Sequence, residues 1–172
     1  FDAFLIGRKG KVLIKDMDEI RWKQDLEDDR AKLTALLSEA RHVDAQRDAK
    51  LHHLQAIITK KCQQPLNAGN KKIIVFTAFA DTANYLYDHL AEWAKETLGI
   101  YTAKITGSGT NKSTMPGMSS NYDSLLVAFS PVSKEREKID EGATAEIDLL
   151  IATDCISEGQ NLQDCDFLVN YD

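Results

Sequence analysis

Residues 147–172, IDLLIATDCISEGQNLQDCDFLVNYD, constrain the fold more than any other stretch of this chain. Two apolar runs, at 149–152 and 167–169, flank a polar segment that carries Gly159 near its middle. Short apolar runs bounded by polar residues suit strands buried on both faces, as in a parallel sheet with helices on its two sides. Ligands of open parallel sheets bind at the carboxyl ends of the strands, so Thr153, Asp154, Ser157, Glu158 and Asn161 fall at the expected functional edge.

The strands needed to complete such a sheet can be found upstream. Lys71-Lys72-Ile73-Ile74-Val75-Phe76-Thr77 is a β-branched run bounded by turn residues, and Tyr101, Ala103 and Ile105 alternate along a second one. Between them Ala83, Leu86, Tyr87, Leu90 and Trp93 recur at helical spacing, with Asp81 or Thr82 as the expected cap and Gly99 as the stop. Strands at 72–77, 101–106, 148–152 and 167–171 therefore predict an α/β fold, an open parallel sheet flanked by helices. Leu125, Leu126 and Phe129 add a short helix over 122–129, closed by Pro131, and the charged stretch 133–142 reads as solvated.

The N-terminal third reads differently. Apolar runs at 4–6 and 12–14 around Gly7-Arg8-Lys9-Gly10 suggest a hairpin. A helix follows from Asp16, which with Glu19 resembles a capping box, and Leu33, Leu36, Leu37 and Ala40 mark its apolar side. A second helix over 47–64 carries Leu51, Leu54, Ile57, Ile58 and Cys62 and stops at Pro65. The expected organisation is thus a hairpin and helical-hairpin appendage over 1–66 and an α/β lobe over 67–172. His52 and His53 point about 100° apart on a helix and so do not chelate one metal together.

Composition removes several function classes. Lys and Arg number 21 against 27 Asp and Glu, a net charge of -6, which excludes a module binding nucleic acid through a uniformly basic face. Cys62, Cys155 and Cys165 form neither a disulfide framework nor a CxxC zinc pattern, which points to a reducing, cytoplasmic setting. No run of about 18 apolar residues exists to span a membrane, and the charges near the start follow the apolar residues instead of preceding them as in a signal peptide. A start without Met and a stop at Asp172, directly after a strand, are expected of a fragment.

Residues 107–121, GSGTNKSTMPGMSSN, read as a flexible loop. Their Lys112-Ser113 imitates a phosphate-binding loop, but Asn111 stands where the glycine before the lysine belongs, the spacing is short, and Pro116-Gly117 follow where a helix should begin. The polar residues at the strand ends, Thr77, Thr106 with Gly107, Thr153 with Asp154, and Asp172, instead line one edge. Hydroxyls and backbone amides at such an edge can meet phosphate oxygens without net positive charge.

At these residues the chain resembles a known family. Ile74-Val75-Phe76-Thr77-Ala78-Phe79 looks like motif IV, and Leu149-Leu150-Ile151-Ala152-Thr153-Asp154 through Glu158-Gly159-Gln160-Asn161-Leu162-Gln163 looks like motif V, of the second RecA-like lobe of superfamily 2 helicases and translocases. Within that superfamily the chain is most similar to the Swi/Snf-like branch, including its bacterial polymerase-recycling type, where Arg47-Asp48-Ala49-Lys50-Leu51 matches a helix leading into motif IV. The resemblance covers residues 47–172.

The resemblance implies that Thr77, Thr106 and Gly107 contact the phosphate backbone of a tracked strand, and that Thr153 and Asp154 do likewise or couple that contact to the nucleotide. It implies ATP contacts for Glu158, Gly159, Gln160 and Asn161. A small residue lets the backbone approach a ligand and a short amide bridges hydroxyls, which suits those roles. Neither Walker motif is present, nor the arginine-bearing motif VI, nor the arginine that the family often has near Asn121. ATP and Mg²⁺ are therefore expected mainly through an N-terminal motor lobe in the intact parent protein, with no catalytic residue and no metal ligand here, and the fragment alone is expected to be inactive. The expected partners are nucleic acid, DNA over RNA, and that lobe, with no membrane. The alternative is a non-catalytic RecA-like interaction module that uses its N-terminal helices as the binding surface.

Overall fold

The structure, a computed structural model, describes residues 5–13, 16–107, 109–140, 142, 144–156 and 159–172. It divides into two units, residues 1–48 and 49–172.

In the first unit, β1 (Leu5–Ile6) pairs antiparallel with β2 (Val12–Leu13). Gly7 turns the chain between them at φ 118°, where a Cβ would lie 1.9 Å from the Gly10 carbonyl oxygen, so only glycine fits. The hairpin expectation holds for these residues; Phe4 and Ile14, at the ends of its two runs, lie outside the described ones. Helix α1 (Glu19–Ala40) is capped by Asp18, whose carboxylate accepts from the Arg21 N–H at 3.0 Å. The expected cap, Asp16, stands too early: a capping side chain must reach the N–H two or three residues on, inside the first turn. No α1 residue is buried, and Ile20, Leu26, Leu33, Leu36 and Leu37 are exposed.

The second unit is a RecA-like α/β domain. Its elements are α2 (Ala49–Gln63), β3 (Ile73–Phe76), α3 (Ala80–Leu98), β4 (Tyr101–Ile105), β5 (Lys112–Ser113), α4 (Tyr122–Phe129), β6 (Ile147–Ala152) and β7 (Leu168–Asn170). The sheet order is β5-β4-β6-β3-β7, with β4, β6, β3 and β7 parallel and β5 antiparallel. The strand from 147 to 152 thus inserts between β3 and β4, the two strands of the expected β-α-β unit. On β6, Leu149 and Ile151 on one face and Leu150 and Ala152 on the other are all completely buried, which is why this stretch reads as apolar on both faces.

Helix α3 covers one face with Ala83, Leu86, Leu90 and Ala94 buried, and α4 covers the other, where Leu125, Leu126 and Phe129 join Ile74, Ile105, Leu150 and Ala152 in one apolar cluster. Gly99 ends α3 in the left-handed conformation at φ 65°, as expected. Neither Asp81 nor Thr82 caps it, because the helix already begins at Ala80 and both lie inside its first turn. Asn121 caps α4, accepting from the N–H groups of Asp123 and Ser124 at 2.9 and 3.4 Å.

Helix α2 lies in the second unit, where Leu51, Leu54 and Ile58 are buried and α2 packs on α3. Two expectations need correction. The 107–121 stretch is not structureless. Lys112–Ser113 pairs with β4 and Met115 is buried, because the free edge of β4 offers unpaired backbone groups that a returning segment can satisfy. The charged segment 133–142 is not wholly solvated either, since Arg136 is buried and donates to the Ala145 carbonyl at 2.6 Å. Among the described residues no helix is long and apolar enough to cross a membrane.

Candidate functional site at the carboxyl edge of the sheet

Strand order places Thr106, Thr153, Thr77 and Asp172 in succession along the carboxyl edge, following β4, β6, β3 and β7 in turn. Backbone bonds continue the ladder past the strands: Thr153 N–H donates to Ile105 O at 3.2 Å, Thr77 N–H to Ala152 O at 3.0 Å, and Tyr171 N–H to Phe76 O at 2.8 Å. Thr153 and Thr77 are therefore held by the sheet itself, and all three threonines are buried.

Their side chains are used within the chain. Thr77 donates its hydroxyl to Asp172 Oδ1 at 3.0 Å and accepts from Phe79 N–H at 3.4 Å, while Ala78 N–H donates to the other carboxylate oxygen of Asp172. This carboxylate ties the segment that leads into α3 to the chain just after β7. Thr153 donates to Cys155 Sγ at 3.4 Å and accepts from Gly107 N–H at 3.4 Å. A Cβ on Gly107 would stand 3.4 Å from the Cys155 Cβ, so β4 and the turn after β6 meet closely there. Thr106 N–H donates to Asn111 Oδ1 at 3.3 Å, and the buried Thr106 hydroxyl has no partner among the described residues.

Asp154 is exposed in a single 3-10 turn, Asp154–Ile156, anchored by the buried side chain of Ile156. Tyr122 donates to the Cys155 carbonyl at 3.4 Å, and burial, reinforced by Cys155 and Asp123, pushes its phenol above the ordinary range. Lys50, at the start of α2, lies 4.2 Å over the Tyr171 ring and brings a cation to the same edge.

The residues expected to meet ATP have other neighbours. Ser157 and Glu158 lie outside the described residues. Gly159 is exposed at φ 72° with nothing within 4 Å of an added Cβ, so glycine is favoured here by its backbone conformation and its main chain is open. Gln160 accepts from Lys134 Nζ at 2.8 Å, and Asn161 donates to Ser133 O at 3.3 Å. Asp164 fastens the same turn, accepting from the N–H groups of Val132 and Ser133 at 2.8 and 2.9 Å and from the Ser133 hydroxyl. Burial alone would raise the Asp164 carboxyl, but these hydrogen bonds outweigh it and hold the group below the usual carboxylate range.

The structure thus brings Thr77, Thr106, Gly107 and Thr153 together and ties Gln160 and Asn161 to the turn after α4. Sequence reasoning missed Asn111, Lys50 and Asp164 as members of these networks. Asn111 had no signal, since its partner is a backbone amide five residues earlier. Among the described residues, no group of three His, Cys, Asp or Glu side chains stands ready to hold a metal ion. The open backbone at Gly159 and the exposed carboxamide of Asn161 offer polar groups to solvent, with Lys134 held beside them at Gln160.

Comparison with curated proteins finds no match. The model of the helicase conserved C-terminal domain matches residues 49–172, the whole of the α/β unit, and the chain belongs to that family.

Proposed function

We propose that this chain is the second motor lobe of an ATP-dependent nucleic-acid translocase or helicase, of the bacterial Swi/Snf-like branch of superfamily 2, working on DNA in preference to RNA. One observation carries the reading: Thr106, Thr153 and Thr77 stand in a row at the carboxyl ends of three adjacent parallel strands, with amides and hydroxyls but little positive charge. Such a row suits successive phosphates of one strand, which uncharged donors hold without the strong attachment that a basic groove would impose. Gly159, Gln160 and Asn161, with Glu158 beside them, take the ribose side of ATP, while the phosphates and Mg²⁺ are held mainly by the N-terminal lobe.

In this reading ATP draws two lobes together and hydrolysis separates them, so the threonine row advances along the backbone by one cycle per turnover. The bound nucleotide supplies the phosphoryl-transfer step; the residues of this chain grip, align and release. The test is ATP turnover by the lobe joined to its N-terminal partner, with and without DNA. Thr153→Ala should abolish DNA stimulation and Asn161→Ala should reduce turnover itself. Wild-type behaviour in both variants would refute the site assignment.

A non-catalytic interaction module is favoured by a different observation, the wholly unburied α1 with its exposed leucines. Removing residues 1–48 discriminates the two. Turnover by the joined lobes survives this deletion if the chain is a motor, whereas partner capture is lost if α1 is the business end.

A further inference from the structure

Of the buried side-chain oxygens without a hydrogen-bond partner among the described residues, those of Thr102, Thr106 and Ser130, only Thr106 stands at the carboxyl edge. A buried hydroxyl left without a partner is costly, and an acceptor arriving there recovers that loss. The adjoining amide of the same residue is occupied, but weakly: Asn111 Oδ1 lies 3.3 Å away, beyond the usual range for an N–H···O bond. The next amide, Gly107 N–H, is also held loosely, at 3.4 Å from the Thr153 hydroxyl.

The Gly107 amide faces the β6 side, so the amide and the orphan hydroxyl of Thr106 are the two donors of this strand end that an oxyanion on the β5 side could meet. Their cover is local. A Cβ at Gly109 would fall 2.7 Å from Thr106 Oγ1, so the main chain there passes directly over the hydroxyl. Asn111 is half-buried and followed by the exposed Lys112.

We propose that Asn111 is a built-in occupant of an anion site at the end of β4: its carboxamide oxygen holds the Thr106 amide where a phosphate oxygen binds, and Asn111 thereby sets the affinity of the edge for a phosphate backbone. The inference rests on the nucleic-acid reading above and adds the residue that regulates it. The chemistry favours exchange, because a charged phosphate oxygen accepts about twice as strongly as a neutral carboxamide. Rotation of the Asn111 side chain is enough to release the amide. An incoming phosphate oxygen would then satisfy both the amide and the hydroxyl of Thr106, which the carboxamide does not.

The test uses the 172-residue chain as wild type, Asn111→Ala and Asn111→Asp. Two probes are titrated: inorganic phosphate, followed at the Thr106 amide by ¹H–¹⁵N correlation spectra, and a fluorescein-labelled DNA oligonucleotide, followed by anisotropy at low salt. Asn111→Ala should tighten both by roughly 3- to 10-fold, the worth of one neutral hydrogen bond. Asn111→Asp, which keeps the acceptor and adds a negative charge, should weaken both. The rest of the amide spectrum reports that each variant is folded, and the near-isosteric Asp variant carries the test if the Ala variant is not.

Unchanged phosphate affinity in both variants, or no response of the Thr106 amide in any protein, overturns the proposal. If the oligonucleotide binds wild type and variants alike, the inference fails and the nucleic-acid reading stands. If phosphate responds to Asn111→Ala but no oligonucleotide binds, the anion site stands and the nucleic-acid reading fails.

Discussion

Lys61 and Asp166 offer the sharpest test of how this lobe is assembled. Lys61 Nζ lies 2.6 Å from Asp166 Oδ1, and the two side chains are 1% and 16% exposed. The ammonium also donates to Asn70 O at 2.9 Å, and Asn67 donates to the second oxygen of Asp166 at 2.8 Å. The pair therefore fastens α2 to the segment leading into β7. Removing either partner should not cost the same. Asp166→Ala strands a fully buried ammonium with one carbonyl, at about 3–5 kcal/mol. Lys61→Met keeps the aliphatic stem in place and leaves Asp166 with Asn67 and some water, at about 1–2 kcal/mol.

The pH dependence of this pair has a fixed sign. Burial alone would raise the Asp166 carboxyl, but the hydrogen bonds from Lys61 and Asn67 and the Lys61 charge prevail and hold it below its ordinary value. A carboxylate depressed on folding contributes stability that is present above its unfolded pKa, about 3.9, and is lost as pH falls through the folded one. Urea unfolding at neutral pH and at stepwise lower pH measures both effects, read at Trp93 of α3 in a Trp22→Phe background. An Asp166→Ala cost no larger than that of Lys61→Met, or equal acid sensitivity in wild type and Asp166→Ala, would refute the reasoning.

The remaining predictions concern the core, one turn and the thiols. Leu54→Ala, which empties a fully buried position on α2, should destabilise the α/β unit by about 2–4 kcal/mol in the same urea assay; a change under about 1 would mean that α2 is not part of its core. Gly99→Ala should cost about 1 kcal/mol through the left-handed backbone alone, because an added Cβ meets nothing within 4 Å, and a calorimetric loss several times larger would point to a contact instead. Iodoacetamide should modify the exposed Cys155 before Cys62 and Cys165, whose thiols burial pushes up, and peptide mapping that finds either of those two first would contradict their placement.

The parts of the fold that sequence made legible are those where a local pattern and the tertiary environment agree. The run at 147–152 reads as a doubly covered strand because both of its faces are in fact covered. Helix α4 was bounded to the residue, since Asn121 caps it and Pro131 stands just beyond. What stayed hidden depends on partners distant in sequence. Nothing local shows that the apolar side of α2 docks on α3 while the similar leucines of α1 stay exposed. Glycine, serine and threonine in 107–121 signal a loop, and the pairing of Lys112–Ser113 with β4 comes from the strand edge they meet, not from their own propensity. The threonines could be placed at strand ends, but not the direction of their hydroxyls, which Asp172, Cys155 and Gly107 decide.

That direction matters for how such an edge can work. Donors buried at the ends of strands are costly to leave unpaired, and apart from the Thr106 hydroxyl the chain supplies oxygens of its own to those named here. Here Asp172 serves Thr77 and Ala78, the Thr153 hydroxyl serves Gly107, and Asn111 serves Thr106. A phosphate that binds this row does not fill empty space; it exchanges one acceptor for another, and only the difference between the two appears as affinity. The Thr153 and Thr77 amides donate to the Ile105 and Ala152 carbonyls, so adjacent strand ends are bonded to one another. If the row meets a phosphate backbone as proposed, each contact carries only a small net free energy, which suits a surface that grips and releases.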